Sequence, residues 1–408
     1  MNILNLKESV ELNKTILFFK DKNNRDISVY KLKNILLSGS NLFYPNCLLY
    51  SKNNKKLYNP IDESIASLKQ LNKKIKFDIQ IKDTTKTELN PVFYFIYNTD
   101  NYYHFIYDTL PYIISFKYLK KTIPNLKLLM NYPNHQANKI YNFVKEFLEL
   151  LDINYNDIIF VDKNTCYETI YVSSSYTHGH DSNIKPRKEI YELYKNIVNK
   201  VNNLPDNKEY PKKIYISRRS WIHKDYSNIG TNYTTRRSLV NENELVDLLS
   251  SHGYTEVFTE NMSTIEKIKL FSKVESIVGA IGGGVCNVLF SKPQTNLLCL
   301  VSPTFLDINS RFIHSLSNVN TKYIKNTEHI ETGKWKKYMR VSYNNIVGEI
   351  IDIDKDTLTI SYSSEFVAGW NNEMEYSKIK INSFECTALD SGLNSSWKLD
   401  LNIFKKYI

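Results

Sequence analysis

The densest cluster of glycine lies between residues 276 and 287, Ser-Ile-Val-Gly-Ala-Ile-Gly-Gly-Gly-Val-Cys-Asn. Four of the chain's 12 glycines fall within six residues, directly after a short apolar run, and more apolar residues follow. This pattern indicates a buried strand, a tight turn and a helix start, where backbone N–H groups could bind a phosphate or diphosphate. The motif is neither G-x-G-x-x-G nor a Walker loop, so a close-packed turn without a ligand is an equal alternative.

His104 and Asp108 stand four residues apart in the segment Asn101-Tyr-Tyr-His-Phe-Ile-Tyr-Asp-Thr-Leu-Pro111. On a helix these two side chains share a face and can touch. A carboxylate beside an imidazole fixes its tautomer, so the pair could supply a general base and the group that orients it. The surrounding apolar and aromatic residues predict partial burial, whereas the alternative is a surface pair of small worth.

Two arginine pairs offer positive charge at the ends of predicted elements. Arg218 and Arg219 follow a predicted strand, and Arg236 and Arg237 precede a predicted helix. Because the planar guanidinium matches phosphate oxygens, at least one pair is predicted to clamp a phosphate. A solvated basic face is the alternative.

For three other features a functional interpretation is not favoured. Glu266 is placed to close a capping box at the start of a helix. The pair His178-x-His180 lacks a third ligand at suitable spacing, so no metal site is predicted. Cys286 has no evident histidine partner, and burial is the favoured interpretation.

The elements that must position these residues alternate between strand and helix from residue 91 onward, and this alternation predicts parallel α/β sheets. In such sheets ligands bind beyond the carboxyl ends of the strands, where both the glycine turn and Arg218 are predicted to lie. Predicted strands are Val92–Tyr97, Leu126–Met130, Asp157–Val161, Thr169–Ser173, Ile214–Ser217, Glu256–Thr259, Glu275–Gly279 and Asn296–Ser302, and predicted helices are Asn101–Leu119, His135–Leu151, Pro186–Val201, Asn241–His252, 263–272 and Val285–Ser291.

The predicted organisation has five parts. A strand-rich mixed segment covers residues 1–90, a first Rossmann-like domain covers 91–201, and a linker covers 202–213. A second Rossmann-like domain covers 214–334, and a small β-rich appendage, with a hairpin around Asp354-Lys355-Asp356, covers 335–408. The predicted class is α/β, with two Rossmann-like domains that face a cleft.

Composition limits the partners and the compartment. The formal charge of +10 suits an anionic partner such as a nucleotide, an acidic glycan or a membrane surface. Long Lys/Arg blocks and zinc-finger spacings are absent from the sequence, so nucleic-acid binding is not favoured. The five cysteines are odd in number and widely spaced, which favours a reducing compartment. Without a signal-peptide pattern or a long apolar run, we expect a cytoplasmic protein, at most peripheral on a membrane.

Several of these segments, taken in order, resemble glycosyltransferase family 61, which includes capsular-polysaccharide, xylan-decorating and protein O-linked GlcNAc transferases. Residues 101–111 are similar to the family's His-x-x-x-Asp-x-Leu-Pro signature. The second region begins at Ile214-Tyr-Ile-Ser-Arg-Arg219, passes Arg237, Asn241-Glu-Asn-Glu-Leu245 and Met262-Ser-Thr-Ile-Glu266, and ends at Ile277-Val-Gly-Ala-Ile-Gly-Gly-Gly-Val-Cys-Asn287. The resemblance covers residues 92–303, and the ordered series is more specific than any single motif.

One position departs from the family pattern. The family usually has Gly-x-His-Gly-Ala-Gly at the glycine turn, and Ile281 stands here at the position of the histidine. Isoleucine cannot perform the chemistry of that histidine, although the geometry of the turn can survive the change.

The resemblance implies a GT-B fold, with the acceptor at domain 91–201 and the nucleotide-sugar at domain 214–334. It also implies an inverting, metal-independent transfer without a cofactor. The donor is expected to be a UDP-sugar, and the acceptor a hydroxyl group of a glycan or glycolipid. We expect the diphosphate at Gly282, Gly283 and Gly284, with Arg218 and Arg237 offsetting its charge. Asp108 is expected to deprotonate the acceptor, with His104 orienting it or exchanging roles with it. Asn287 and Glu266 are expected to contact the nucleoside.

Three other functions stay open from the sequence. One is a different GT-B transferase, moving a pyruvyl group or a sialic-acid-like sugar. A second is a catalytically impaired protein of the same fold that binds glycans or nucleotides, which Ile281 makes plausible. The third is a nucleic-acid-binding protein, supported by the net charge alone.

Overall fold

The computed structural model describes residues 3–6, 15–19, 27–39, 48–60, 81, 85–96, 101–133, 139–177, 186–219, 239–302, 310–329, 335, 337, 340–344, 346–362, 377–388 and 397–408. The chain divides into two compact units, Met1–Lys200 and Val201–Ile408. None of the helices in these described stretches combines the length and the apolar character that crossing a membrane requires.

The first unit is built on a ten-stranded mixed sheet in which four neighbouring strands, in the order β10-β7-β8-β9, run parallel. Strand β7 is a continuous apolar run, buried along its whole length, as expected inside a parallel sheet. The strands are β1 (Ile3–Asn5), β2 (Thr15–Phe19), β3 (Ile27–Ser38), β4 (Leu48–Ser51), β5 (Lys56–Asn59), β6 (Lys86–Glu88), β7 (Val92–Phe95), β8 (Lys127–Met130), β9 (Ile158–Phe160) and β10 (Thr165–Ser173).

Strands from the predicted N-terminal segment belong to this same sheet. Strand β3 pairs antiparallel with β10, and β4 and β5 extend the sheet outward from β3. The helices among the described residues of this part of the chain are α1 (Tyr102–His104), α2 (Tyr112–Lys120), α3 (Asn142–Leu150) and α4 (Lys188–Asn202). A wide π-helical turn over Phe105–Thr109 joins α1 to α2.

The second unit contains a five-stranded sheet that is entirely parallel, in the order β12-β11-β13-β14-β15. Its strands are β11 (Lys213–Ile216), β12 (Thr255–Val257), β13 (Ser276–Ala280), β14 (Asn296–Leu300) and β15 (Asn320–Ile324), and its helices are α5 (Glu242–Ser251), α6 (Thr264–Lys273) and α7 (Ser310–Leu316). Helix α5 is followed by Gly253, whose φ of 80° is the left-handed conformation that terminates helices. Short 3₁₀ turns cover Thr259–Asn261 and Val285–Phe290.

The region after residue 326 divides into two parts. One is a five-stranded antiparallel sheet of β17 (Arg340–Tyr343), β18 (Ile346–Asp354), β19 (Thr357–Tyr362), β20 (Ser377–Asn382) and β21 (Thr387–Ala388), which has an apolar core of its own. The other part joins β16 (Thr327–His329) to β22 (Trp397–Leu399), and α8 (Leu401–Phe404) follows.

The end of the chain packs into the core of the parallel sheet. Trp397, Leu399 and Phe404 are buried in the same apolar cluster as Tyr215 of β11 and Leu245 of α5. The predicted appendage 335–408 therefore includes residues that complete the second unit.

The architecture is a mixed α/β fold with parallel-rich sheets, which is compatible with the predicted Rossmann-like class. Most predicted elements from residue 91 to 302 are present, and most of their ends are shifted by no more than four residues; the strand predicted at Glu275–Gly279, for example, is Ser276–Ala280. The helix predicted at His135–Leu151 begins seven residues later than predicted, at Asn142. Strand β15 was not predicted, because its polar sequence Asn-Thr-Lys-Tyr-Ile lacks an apolar run.

Candidate functional site

The first candidate site lies after the carboxyl end of β7, where a capped helix start leads into the π-helical turn. The Asn101 side chain accepts a hydrogen bond from the backbone N–H of His104 and so caps α1. The Leu110 N–H reaches back five residues to the carbonyl of Phe105, which is the π-helical pattern. Pro111 supplies no N–H at the next position, and this missing donor is consistent with a turn that departs from α-helical geometry there.

His104 and Asp108 are in direct contact. The imidazole Nδ1 lies 2.6 Å from Asp108 Oδ2, and Thr177 Oγ1 donates to the other carboxylate oxygen, Oδ1, over 2.8 Å. The Asp108 side chain is 0% exposed and the His104 side chain 27% exposed. Since Nδ1 faces the carboxylate, the neutral imidazole carries its proton there and its basic lone pair on Nε2.

Buried hydroxyl groups lie at the carboxyl end of β10, and one of them, on Thr177, contacts this pair. Thr177 follows that strand, and its backbone N–H donates to Ser175 Oγ over 3.1 Å. Ser115 Oγ of α2 lies 2.9 Å from both Ser173 Oγ and Tyr176 OH, and burial raises the pKa of Tyr176. Sequence reasoning missed Thr177; the available signal was a run of hydroxyl residues at the carboxyl end of a predicted strand.

The second candidate site lies in the other unit, where the strand order of its parallel sheet reverses. Strand β11 is flanked by β12 on one side and by β13 on the other, so the chain crosses from one side of the sheet to the other between them. Ligands of open α/β sheets bind at such switch points, outside the carboxyl ends of the strands. Arg218 follows the end of β11, and the glycine turn follows the end of β13.

The three consecutive glycines meet different surroundings. A Cβ added at Gly282 would lie 3.0 Å from Arg218 Nη1, so the guanidinium lies close to this residue. A Cβ at Gly284 would lie 2.9 Å from Ile216 Cγ2 and 3.2 Å from Thr259 Oγ1, whereas one at Gly283 would meet nothing within 4 Å. The glycine turn is thus tightly packed at Gly284 and open at Gly283.

The two arginines of the predicted pair have different environments. Arg219 makes a bidentate contact with Glu256, Nε to Oε1 and Nη2 to Oε2, each 2.7 Å, and its Nη1 donates to Asn243 Oδ1. Its guanidinium is therefore engaged by a carboxylate on β12. Arg218 is the arginine that the structure brings to the glycine turn.

A buried glutamate next to Arg218 was not singled out from the sequence. Oε1 of Glu242 accepts hydrogen bonds from Tyr215 OH at 2.7 Å, Ser217 Oγ at 3.2 Å and the backbone N–H of Arg218 at 2.7 Å. Burial raises the pKa of Glu242 and lowers that of Arg218, while the two opposite charges counteract both shifts. An acidic residue in the first turn of a helix is common, so the sequence carried no signal of its burial.

Other predicted residues have local roles in the structure. Glu266 closes the capping box of α6, accepting at Oε2 from the backbone N–H and the hydroxyl of Ser263, each at 3.0 Å. Asn287 is buried and its side-chain amide donates to the Gly284 carbonyl over 2.8 Å, so it braces the glycine turn. Cys286 Sγ contacts the Gly283 carbonyl. The expected contacts of Glu266 and Asn287 with a nucleoside stay predictions.

Ile281, at the position of the family histidine, is 3% exposed, and its backbone N–H donates to the Leu300 carbonyl. It therefore belongs to the core below the turn. Arg236, Arg237, His178 and His180 lie outside the described residues.

Comparison with models of protein families gives a match. The family model described as glycosyltransferase 61 matches residues 102–298, a range that contains both the His104–Asp108 pair and the glycine turn. No curated protein matches the chain. A glycosyltransferase acts on a sugar donor and a glycan acceptor. The match identifies a glycosyltransferase 61 domain over residues 102–298, and the protein is a glycosyltransferase.

Proposed function

We propose that the protein transfers a sugar from a UDP-sugar to a hydroxyl group of a glycan or glycolipid acceptor, with inversion at the anomeric carbon and without a metal ion. Two Rossmann-like domains facing a cleft, with the boundaries predicted from the sequence, form part of this proposal. So does a place in the assembly of a surface or capsular polysaccharide, which rests on the family resemblance alone.

The observation that carries the proposal is the contact between a buried Asp108 and a partly exposed His104. A carboxylate without solvent exposure cannot reach an acceptor hydroxyl, whereas the imidazole next to it can. The roles expected from the sequence are therefore exchanged: His104 is the general base, acting through Nε2, and Asp108 orients it and stabilises its protonated form. Thr177 holds the carboxylate from its other side.

The reaction then runs as a single displacement. The acceptor O–H gives its proton to His104 Nε2, and its oxygen forms the new bond to the anomeric carbon. The bond from that carbon to the diphosphate breaks, and its electron pair leaves with UDP. Arg218 and the backbone amides of Gly282, Gly283 and Gly284 are the groups proposed to stabilise the departing charge, each worth about 3 kcal/mol.

Calorimetric titration tests the donor half of the proposal. UDP is expected to bind and CMP to bind more weakly, and a panel of nucleotide-sugars then identifies the donor from the release of UDP. Binding of CMP instead of UDP would favour the alternative transferase of a sialic-acid-like sugar, and binding of neither would contradict the proposed site.

His104→Gln tests the catalytic half. We expect kcat to fall by about 10²- to 10⁴-fold, the contribution of a general base, with the affinity for UDP unchanged. His252→Gln changes an exposed histidine of the other unit and serves as the matched control. Full turnover by His104→Gln would rule out the base assignment.

A further inference from the structure

Two carboxylates that have no part in the proposed reaction interact electrostatically with Arg218. Glu242, only 3% exposed, accepts the backbone N–H of Arg218, and Glu260 lies in the 3₁₀ turn Thr259–Asn261. Both carboxylates favour the charged form of the Arg218 side chain against the desolvation that lowers its pKa. Thr259, the neighbour of Glu260, packs against Gly284, so this turn borders the glycine turn.

These carboxylates affect an empty site and an occupied site in opposite ways. Without a ligand, a half-buried guanidinium needs a nearby negative charge, because an uncompensated buried charge is strongly destabilising. When a diphosphate arrives at the glycine turn, the same carboxylates repel it. The affinity of the site for UDP is then the difference between attraction by Arg218 and repulsion by its neighbours.

We propose that Glu242 and Glu260 are positioning residues that hold Arg218 at the glycine turn. Their negative charges also lower the affinity of the site for UDP, so that the product is released. Arg218 thereby keeps one orientation through the catalytic cycle. It can then stabilise the charge of the leaving group without binding UDP so tightly that the product inhibits the enzyme. This inference rests on the proposed binding of UDP at the glycine turn.

Glu242→Gln separates this role from simple structural support. The amide oxygen can still accept the hydrogen bonds from Tyr215, Ser217 and the Arg218 backbone, while the negative charge is removed. Calorimetry should show UDP binding about three- to tenfold more tightly, which is the change in affinity expected when one solvent-screened charge near the diphosphate is removed. The affinity for uridine, which carries no phosphate, should not change.

The chain offers a matched control and a second variant. Glu244 is an exposed residue of the same helix turn, and Glu244→Gln removes the same charge without touching Arg218, so UDP affinity should stay at the wild-type value. Glu260→Gln alters a less buried residue and keeps the test possible if Glu242→Gln does not fold. It should tighten UDP binding by a smaller factor.

The outcomes separate the two proposals. If the wild-type protein does not bind UDP, the proposed donor site fails, and the inference fails with it. If the wild-type protein binds UDP and neither folded variant binds it more tightly, the proposed donor site stands and the charge-balancing role is wrong. Equal tightening for UDP and uridine would also contradict the role, because it would not depend on the diphosphate charge.

Discussion

Each unit contains a buried carboxylate at its candidate site, and the two have different partners. Asp108 accepts a hydrogen bond from the Thr177 hydroxyl and contacts an imidazole that is partly exposed to solvent. One oxygen of Glu242 accepts hydrogen bonds from two hydroxyl groups and a backbone N–H, and the carboxylate interacts electrostatically with Arg218. An imidazole can gain and lose a proton near neutral pH, whereas a guanidinium stays charged. The first arrangement therefore suits proton transfer, and the second suits a fixed positive charge.

The two candidate sites also differ in how the backbone builds them. The pair in the first unit depends on a local irregularity, the π-helical turn Phe105–Thr109, which carries Asp108. The proposed anion site in the second unit depends on regular topology, because the reversal of strand order places two strand ends side by side. Substitutions in the first should thus change catalysis and leave UDP affinity nearly unchanged, whereas substitutions in the second should change UDP affinity as well as catalysis.

Asp108→Asn should have the largest effect and should separate catalysis from binding most clearly. In this variant the Thr177 hydroxyl still donates to the side-chain oxygen of residue 108, so the amide NH₂ faces His104 Nδ1. Because this NH₂ group can only donate, Nδ1 must accept, and the imidazole proton moves to Nε2. A histidine with that tautomer cannot accept the acceptor's proton, so kcat should fall by about 10³- to 10⁴-fold. The dissociation constant of UDP, measured by calorimetry, should stay within a factor of two of wild type.

Asp152→Asn is the control for this substitution, since Asp152 is an exposed residue of the same unit that pairs with Lys200. It should leave kcat unchanged. A variant with Asp108→Asn that unfolds at the wild-type temperature and turns over normally would show that the pair has no part in the reaction.

Matched substitutions at Arg218 and Arg219 should divide binding from stability. Arg218→Lys keeps the charge near Gly282 but loses the planar fork, so UDP should bind about 10- to 30-fold more weakly. Arg219→Lys breaks the bidentate contact with Glu256 and should cost about 1 kcal/mol of stability or less, with no change in UDP affinity. Calorimetry and thermal unfolding of both variants measure the difference; equal losses of affinity would mean that both arginines face the ligand.

Local patterns in the sequence predicted the local parts of this structure. The capping box of Ser263 and Glu266 and the end of α5 at Gly253 each depend on residues within one turn of helix. The glycine turn and the contact between His104 and Asp108 were also accessible, because both lie within short stretches of chain.

What could not be predicted depends on contacts between distant residues. Asp108 is buried against Thr177, 69 residues further along the chain, and that burial decides which member of the pair can meet a substrate. Asn241 exchanges two hydrogen bonds with the backbone of Leu399, 158 residues away, so the end of the chain completes the core beside α5. No periodicity or motif reports such pairings, because they follow from the order of strands in the sheets.

Neighbouring glycines allow the smallest and most local test of the anion site. Gly283→Ala adds a methyl group where no protein atom lies within 4 Å, so the melting temperature should stay near that of wild type. If the diphosphate occupies that open side, the methyl group should weaken UDP binding about three- to tenfold through loss of close backbone approach. Gly284→Ala is the contrasting variant: its methyl group would press on Ile216 and should cost about 1–3 kcal/mol of stability. Unchanged UDP affinity in Gly283→Ala would mean that the diphosphate does not bind at the glycine turn. The role proposed for Arg218 would then be wrong as well.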